Sequence, residues 1–542
     1  MPLTEAALVR PPIHSLAEAL EHAATSQAGL RLFDGKGALA AEASYLELFV
    51  QARARATQLR CVARTGSIPP VIGLIAHTHL SFIVNFMACQ WAGLLPCPIP
   101  SPTVALGIGP YVQRVRRMLS AVQAKALLLD DTHASLQSHF ERFAEPEIKG
   151  LSLMTTGSLP AADETVNLLP LQADEGAYIQ FSSGTTSAPK GIEISQRAIC
   201  HNLNGILHAG LCIQPGDRAF SWLPLYHDMG LVGFLLAPIM GAVPLDLLPP
   251  QVFARRPQLW PRLMAELQST ICFAPSFAWG LAAEKTPLDE AQHIRLNLRV
   301  AGVGGDVVRM QDLNRFAERF GAGGFTVGQF RPSYGLAEAT LAVSMGPVST
   351  DKQGHLASGK PLTGWEVRVV DETGAVLPPL QAGRIQIRGL ALMTGYWQNG
   401  HLSPVQPDEW FLTDDLGYLS TAGELVVTGR LQSLLVLRGR NVHAEAIEDA
   451  VRSALHLSHG TVLAYQEIPQ QSSSTGLVVL VECPLQDVEQ REQWTVTARK
   501  AAFEASRDAA EIRLVPPRTV KLTSSGKMAR QITLDHVRNV HE

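Results

Sequence analysis

The segment whose residue types most clearly suit chemistry is 178–191, YIQFSSGTTSAPKG. An apolar, strand-like run ends in a loop of hydroxyl residues and glycine, and Lys190 follows. Glycine lets backbone N–H groups approach an anion, hydroxyl groups add donors, and the lysine supplies a mobile cation. The segment therefore predicts a phosphate-binding loop. Its predicted contact residues are Ser182, Ser183, Gly184, Thr185, Thr186 and Lys190.

Two other interpretations of this loop have to be compared with phosphate binding. A run of Ser, Thr and Gly is also typical of a plain surface turn, and composition alone does not separate the two. The GxxxxGK[ST] spacing of a Walker loop is absent. The sequence therefore does not predict a P-loop NTPase.

The loop must be positioned by a scaffold in which strands and helices alternate. The apolar runs Val71–Ala76 and Ala126–Leu129 are separated by helix-like stretches such as 80–91. This alternation is typical of parallel strands joined by crossover helices, and it continues to about residue 340. After Gly359, β-rich runs around Gly and Asp predict a β-subdomain.

Beyond Ser433 the pattern predicts a separate small unit of strands and helices, including helices at 443–455 and 494–509. The fold class is therefore predicted to be α/β. A large N-terminal domain, 1–431, is expected to hold parallel or mixed sheets with covering helices and the β-subdomain. A small, mobile C-terminal α+β domain, 432–542, is expected to follow.

Composition excludes several classes of protein. The 542 residues are 46% hydrophobic and 17% charged, which is typical of a well-buried globular chain and not of a disordered one. The 45 Lys+Arg residues nearly balance the 49 Asp+Glu residues, so the charge gives no reason to expect a nucleic-acid partner. Any phosphate chemistry must be local.

Targeting and redox signals predict a cytoplasmic protein. The seven cysteines are odd in number and form no CxxC pair, which argues against a disulfide scaffold or a zinc site. The N-terminal residues lack the continuous apolar stretch of a signal peptide. Residues 229–245 carry no charge, but their glycines and prolines favour a buried helix, a turn and a short strand over a membrane span.

The order of residues in the loop, SSGTT followed by PKG, closely resembles the ATP-phosphate loop of the adenylate-forming superfamily. That superfamily includes acyl-CoA synthetases, peptide-synthetase adenylation domains, luciferases and fatty acyl-AMP ligases. The resemblance extends from about residue 40 to 535, with the motifs in the family's order. SWLPLYHDMGLVG, 221–233, is most similar to the fatty acyl-AMP ligases.

The resemblance implies a nucleotide site assembled from four further segments. In RPSYGLAEAT, 331–340, the base would stack on a tyrosine, a glycine would allow close approach, and a glutamate would bind Mg²⁺. A GGD turn would line the adenine pocket, and the motifs TDDLG and VTGR would contact the ribose. The residues implied are Tyr334, Gly335, Glu338, Gly305, Asp415 and Arg430.

The resemblance also implies residues that act on the acid. His227 would stand near the acyl carboxylate and the reacting phosphate, and Lys527, in KLTSSGKMARQ, would enter the active site from the small domain during adenylation. The predicted substrate pocket consists of Trp222, His227, Met229, Phe234, Phe277 and Trp279. A lone histidine and buried aromatic residues are equally typical of a protein core.

Two departures from the family pattern bear on the nucleotide and on the hinge. Asp414 replaces a glycine of the usual Thr-Gly-Asp, which adds a side chain close to the nucleotide. At the hinge the family typically has Lys-Asp, whereas this chain has Gln432 and Ser433. Ser433 is the predicted hinge residue.

These implied residues predict an enzyme that uses ATP and Mg²⁺ to convert a fatty or other apolar carboxylic acid to an acyl-adenylate, releasing pyrophosphate. Transfer to the phosphopantetheine of an acyl carrier protein is expected, with CoA as the alternative acceptor. The segment 345–357 is too short for the insertion that hinders domain rotation in fatty acyl-AMP ligases. A non-catalytic nucleotide-binding regulator on the same fold, and an oxygen-using luciferase, are the remaining alternatives.

Overall fold

The computed structural model describes residues 13–62, 68–102, 107–143, 151–181, 189–306, 308–351, 355–406, 408–437, 440–457, 460–467, 476–522 and 528–541. The chain has the predicted α/β architecture, with large sheets first and smaller sheets after them. Among the described residues, none of the helices is both long enough and apolar enough to cross a bilayer.

A doubly wound parallel sheet is formed early in the chain. The elements are α1 (Leu16–Ala23), β1 (Gly29–Phe33), β2 (Leu39–Ser44), α2 (Tyr45–Leu59), β3 (Val71–Ala76), α3 (Leu80–Ala92), β4 (Leu95–Pro100), α4 (Ile108–Ala121), β5 (Ala126–Leu129), α5 (Gln137–Arg142) and β6 (Ser152–Thr155). Strands β3 to β6 form this sheet, in the order β4-β3-β5-β6 with every pairing parallel. Strands β1 and β2 belong to the longer sheet described next. Alternate residues of β3 enter different cores, Ile72 and Leu74 with α3 and Val71 and Ile75 with α4, because strand side chains alternate between faces.

A longer mixed sheet carries several of the predicted site residues at its edge. The elements that follow are β7 (Gly176–Phe181), β8 (Gly191–Ser195), α6 (Gln196–Asn204), β9 (Ala219–Ser221), α7 (Ala237–Gly241), β10 (Leu245–Leu247), α8 (Pro250–Arg255), α9 (Leu259–Glu266), β11 (Ile271–Ala274), α10 (Ser276–Lys285), α11 (Leu288–Ala291), β12 (Val300–Val303), α12 (Met310–Phe320), β13 (Phe330–Gly335), β14 (Ala342–Met345) and β15 (Lys360–Pro361). The sheet has the order β15-β14-β13-β12-β11-β9-β10-β1-β2. Strands β9, β11, β12 and β13 are parallel, so their carboxyl ends meet at one edge.

Two helical segments in this region, Gly205–Gly210 and Met229–Leu236, have π-type hydrogen bonding. The second belongs to the uncharged stretch 229–245, which forms this helix, then α7, then β10. The predicted helix, turn and short strand are therefore confirmed. π-type segments often occur at functional sites, and both of these contribute walls to the cavity described below.

The predicted β-subdomain consists of antiparallel strands. They are β16 (Trp365–Val370), β17 (Gly383–Gly389), β18 (Gly395–Gln398), β19 (His401–Pro404), β20 (Phe411–Leu419) and β21 (Leu425–Arg430). One sheet has the order β16-β17-β20-β21, and β18 and β19 extend the hairpin of β7 and β8 in the order β19-β18-β8-β7. The predicted phosphate loop therefore connects two antiparallel strands, whereas a P-loop joins a strand to a helix.

The last part of the chain has its own sheet and helices. They are β22 (Leu434–Leu437), β23 (Arg440–His443), α13 (Ala444–Ala454), β24 (Val462–Glu467), β25 (Gly476–Glu482), α14 (Val488–Ser506), β26 (Ala510–Val515) and α15 (Arg530–His541). Helix α14 begins six residues before the predicted start at 494, because the Asp487 side chain caps it by accepting from the Gln490 N–H at 2.9 Å. The domain boundary after residue 431 stays a prediction.

Candidate active site

A cavity of about 570 Å³ lies where β13, β20 and the two π-type helices approach one another. Its apolar walls include residues of both helices and of β11. Its polar residues include members of β7, β13, β20 and β21 and of the loops between elements. Ten of the predicted site residues line it: Lys190, His227, Met229, Phe234, Gly305, Tyr334, Gly335, Glu338, Asp415 and Arg430.

The carboxylate of Asp415 is held between two donors. Asp415 and Arg430 are direct partners in the pairing of β20 with β21, and the Arg430 Nε donates to Asp415 Oδ1 at 3.2 Å. The Tyr334 hydroxyl donates to the other oxygen, Oδ2, at 2.8 Å. Burial, together with the Asp415 charge, raises the pKa of Tyr334 well above its ordinary value. Two donors therefore fix the direction of the Asp415 carboxylate, as a hydrogen-bond acceptor requires.

Two glycines keep the backbone close around this end of the cavity. Gly305 follows β12 with φ of +80°, a conformation that favours glycine, and a Cβ there would lie 2.7 Å from the Met229 Cε. A Cβ on Gly335 would lie 1.7 Å from the backbone oxygen of Leu341, so no side chain fits. Both residues therefore let neighbouring protein groups approach closely, and their predicted contacts with the nucleotide stay a prediction.

Glu338 belongs to a chain of three side chains. The Tyr396 hydroxyl donates to Glu338 Oε1 at 2.9 Å, and the Lys190 Nζ lies 5.7 Å from the centroid of the Tyr396 ring, within cation–π range. Burial raises the pKa of Glu338, although the hydrogen bond from Tyr396 acts in the opposite direction. A half-buried carboxylate beside a hydroxyl group is a hard oxygen donor of the type that Mg²⁺ prefers, so Glu338 fits the predicted metal.

His227 lies in the turn that leads into the π-type helix Met229–Leu236. Its N–H donates to the Pro224 oxygen at 3.1 Å, and its oxygen accepts from Leu231 at 2.8 Å. The His227 Nδ1 forms an ion-pair contact with Asp228 Oδ1, and Asp228 also accepts from the Met229 N–H at 2.7 Å. Because Asp228 engages Nδ1, it orients the ring and leaves Nε2 for other partners.

Three predicted pocket residues lie outside the described cavity wall. Trp222 stacks on Phe253, with ring centroids 3.7 Å apart. Trp279 is fully buried and packs edge-on against Phe316 and Phe330. Phe277, on α10, packs against the main core.

The predicted phosphate-contact residues Ser182, Ser183, Gly184, Thr185 and Thr186 lie outside the described residues, as does Lys527. Their neighbours do line the cavity: Phe181 precedes the loop, Lys190 follows it, and Met528 follows Lys527. The Gln180 Oε1 is buried and has no hydrogen-bond partner among the described residues. Gln180 also lines the cavity, so this oxygen is an acceptor available to a ligand.

The predicted hinge lies in the helical turn Leu431–Ser433, between β21 and β22. Ser433 is buried, and its Oγ donates to the backbone oxygen of Arg430 at 3.1 Å. The preceding residue, Gln432, lines the cavity. Through this hydrogen bond the predicted hinge residue contacts Arg430, which pairs with Asp415.

Sequence reasoning did not single out Tyr396, Asp228 or Gln180. Tyr396 and Glu338 are 58 residues apart, and nothing in their spacing indicates a contact. Asp228 is different, because a carboxylate directly after the candidate His227 is a signal for ring orientation. Asp414, which replaces the family's glycine, lines the cavity and lies 3.6 Å from the Arg384 guanidinium.

Comparison with known proteins agrees with this geometry. A model of the family described as AMP-binding enzyme matches residues 21–397. A solved structure from work on fatty acyl-adenylate ligases of E. coli and L. pneumophila superposes with a TM-score of 0.87 at 30% identity, covering 98% of each chain.

Two curated relatives are similar over most of the sequence. A Caulobacter vibrioides protein, provisionally named an acyl-CoA synthetase, is 32% identical, over 95% of this chain and 94% of its own. The 4-hydroxyphenylalkanoate adenylyltransferase of Mycobacterium tuberculosis is 28% identical, over 86% of this chain and 81% of its own.

Proposed function

The chain belongs to the family of AMP-binding enzymes, which are adenylate-forming ligases, and on that premise we propose that it activates an apolar carboxylic acid with ATP. A carboxylate oxygen attacks the α-phosphorus, and the bond to the departing pyrophosphate breaks. The products are an acyl-adenylate and pyrophosphate. One observation carries this proposal: a single cavity combines apolar walls with the residues Glu338, Asp415 and Arg430.

Asp415 is proposed to hold the ribose. Its two oxygens are aligned by Tyr334 and Arg430, so its remaining lone pairs point in fixed directions. A ribose presents neighbouring hydroxyl donors, and a charged acceptor forms stronger hydrogen bonds with them than a neutral one. Gly305 and Gly335 line the cavity together with Tyr334, and the adenine is proposed to lie beside the Tyr334 ring.

The phosphate end is proposed to be held by Lys190, the hydroxyl loop and Glu338. Lys190 neutralises charge on the pyrophosphate side, and the Tyr396 ring fixes where its ammonium group lies. Mg²⁺, when bound to Glu338, neutralises phosphate charge further. Lys527 is proposed to arrive from the small domain and to contact the acid carboxylate and the α-phosphate. The position of Met528 in the cavity wall supports that role.

The acid is proposed to enter between the two π-type helices. Ile206, Leu207 and Phe234 supply apolar walls, which favour burial of a hydrocarbon chain over exposure to water. His227 lies at the polar end of this region, with Nδ1 engaged by Asp228. The ring, oriented by Asp228, is proposed to lie beside the acyl carboxylate and so to position it for attack.

Transfer of the acyl group to a thiol is proposed as the second half-reaction, with a carrier-protein phosphopantetheine as acceptor and CoA as the alternative. The short segment after β14 packs on the β-subdomain. Ser344 Oγ donates to the Ser358 oxygen at 2.9 Å, Ser349 Oγ donates to Glu424 at 3.1 Å, and the Ser358 N–H donates to Leu425 at 2.7 Å. A segment held on β21 supports the view that rotation of the small domain is unhindered.

The experiment is pyrophosphate release with a panel of carboxylic acids of increasing chain length, each tested with CoA, with a phosphopantetheinylated carrier protein and with neither. We expect acid-dependent pyrophosphate release in every arm and a thioester mainly with the carrier protein. Thioester formation with CoA alone would support the alternative acceptor. Absence of pyrophosphate release with every acid would support a non-catalytic nucleotide-binding protein.

A further inference from the structure

A second cluster of side chains lies at the carboxyl edge of the parallel sheet β4-β3-β5-β6. His77 and His79 follow β3, and Asp130 and His133 follow β5. The chain leaves β3 towards β4 and later crosses back to β5 on the other side, so β3 and β5 flank a topological switch point. Crevices at such points are where open α/β sheets commonly bind ligands.

One potential ligand atom from each of His77, His79 and Asp130 lies within 4.8 Å of the others. The rings of His77 and His79 are stacked, with centroids 5.2 Å apart and planes 10° apart. Zinc binds imidazole nitrogen at about 2.0–2.1 Å, which places ligand atoms about 3.4 Å apart. His79 is exposed, so its side chain is able to rotate towards this spacing, at the expense of the contact of its Nδ1 with the Ser81 N–H at 3.2 Å.

Asp130 is buried and is held by several donors. Its Oδ1 accepts from the Thr132 hydroxyl at 2.6 Å and lies 2.9 Å from the His133 Nδ1. Its Oδ2 accepts from Ser81 Oγ at 2.5 Å and faces His77. Metal-binding carboxylates are characteristically fixed by outer hydrogen bonds of this kind.

The contacts of His77 indicate that a cation belongs beside it. The His77 Nδ1 lies 3.3 Å from the Ile75 oxygen, and Nε2 lies 3.2 Å from Asp130 Oδ2. The Nε2 also lies 3.2 Å from the Thr132 hydroxyl, whose proton is donated to Asp130 Oδ1 at 2.6 Å. The partners of His77 are then all acceptors, while a neutral imidazole has a single N–H. If Nδ1–H donates to Ile75, the Nε2 lone pair faces a carboxylate oxygen, and a metal ion between them removes that repulsion.

We propose that His77, His79 and Asp130 bind a divalent transition-metal ion of the zinc class, with water or an external ligand completing the coordination. Two imidazoles and one carboxylate suit Zn²⁺ better than Mg²⁺, which prefers oxygen ligands alone. The odd number and spacing of the cysteines argue against a thiolate zinc site, whereas this site uses none. The described wall of the nucleotide cavity begins at Gln180, so the two sites are separate.

The test uses the full chain without a polyhistidine tag, titrated with ZnCl₂ in the presence of excess Mg²⁺ and followed by calorimetry. We expect one tight equivalent per chain and an increased thermal midpoint when the metal is present. His79→Asn keeps the helix-capping ability of this position and removes the imidazole. It should weaken binding at least about tenfold, and Ser81→Ala, which releases Asp130, should do the same.

His401→Asn, an exposed histidine on β19, is the matched control and should bind like the parent. Cobalt(II) in place of zinc should give a visible absorption band that disappears in His79→Asn. Because His79 is exposed, the His79→Asn variant should fold like the parent, and circular dichroism verifies this. The proposal is overturned if no equivalent of Zn²⁺ binds in excess Mg²⁺, or if His79→Asn and His401→Asn bind Zn²⁺ equally.

Discussion

Replacing Glu338 by Gln tests whether this half-buried carboxylate binds the magnesium ion that accompanies ATP. Gln has almost the same shape, and its amide oxygen can still accept from the Tyr396 hydroxyl, which donates to Glu338 at 2.9 Å. The fold should therefore be retained. The lost contribution is that of a charged ligand, and a neutral oxygen is a poorer ligand for a hard dication.

The expected size follows from the value of interactions with charged groups, about 1.5–3 kcal/mol. Every 1.4 kcal/mol corresponds to about a factor of ten, so the Mg²⁺ concentration for half-maximal rate should rise about 10- to 150-fold. The measurement is initial pyrophosphate release in a magnesium titration at saturating acid. Glu338→Asp, which keeps the charge with a shorter reach, should shift the midpoint less.

Tyr396→Phe is the matched control, because it removes the hydrogen bond to Glu338 and keeps the carboxylate. The Tyr396 hydroxyl is not a proposed metal ligand, so its loss should shift the magnesium midpoint less than loss of the Glu338 charge does. Equal magnesium midpoints in the parent and in Glu338→Gln would refute the reasoning and place the metal elsewhere.

The remaining predictions concern three other positions. Lys527→Ala should lower the rate of adenylate formation about 10²–10³-fold with ATP affinity nearly unchanged, and pyrophosphate release at the parent's rate would exclude the proposed role. Ser433→Pro, which fixes φ at about −65°, should slow thiol transfer more than adenylation, while Ser433→Ala should not; equal losses in both half-reactions would contradict a hinge role. Gly233→Leu should shift the preferred acid towards shorter chains, because even a Cβ added at Gly233 would lie 3.2 Å from the Leu341 Cδ2 in the cavity wall. An unchanged optimum in a series of acids of increasing chain length would place the acyl chain elsewhere.

Much of the scaffold could be predicted because burial leaves a clear pattern. Val71–Ala76 is apolar at every position, as a strand covered on both faces must be, and it forms β3. The start of α14 was harder to predict from the sequence. The charged residues before 494 carry no apolar pattern, and the cap at Asp487 determines where the helix begins.

For the site, the motif residues were predictable and their mutual contacts were not. Asp415, Arg430 and Tyr334 come from three separate motifs, and only the pairing of β20 with β21 and the end of β13 bring them together. Aromatic residues are ambiguous from sequence, since a large apolar ring suits a core as well as a pocket. Trp222 and Trp279 were predicted for the pocket, yet both pack against other aromatic residues outside the described cavity wall.

We propose above that a single cavity holds both an apolar acid and ATP, and that the acid reacts there with the α-phosphate. The most direct measurement is a single-turnover reaction with ATP labelled at the α-phosphate and no thiol, quenched and separated so that the acyl-adenylate is quantified beside pyrophosphate. We expect the acyl-adenylate and pyrophosphate to appear in equal amounts, and only when an apolar acid is present. Hydrolysis of ATP without an acid requirement, or pyrophosphate formed without any adenylate ester, would contradict it.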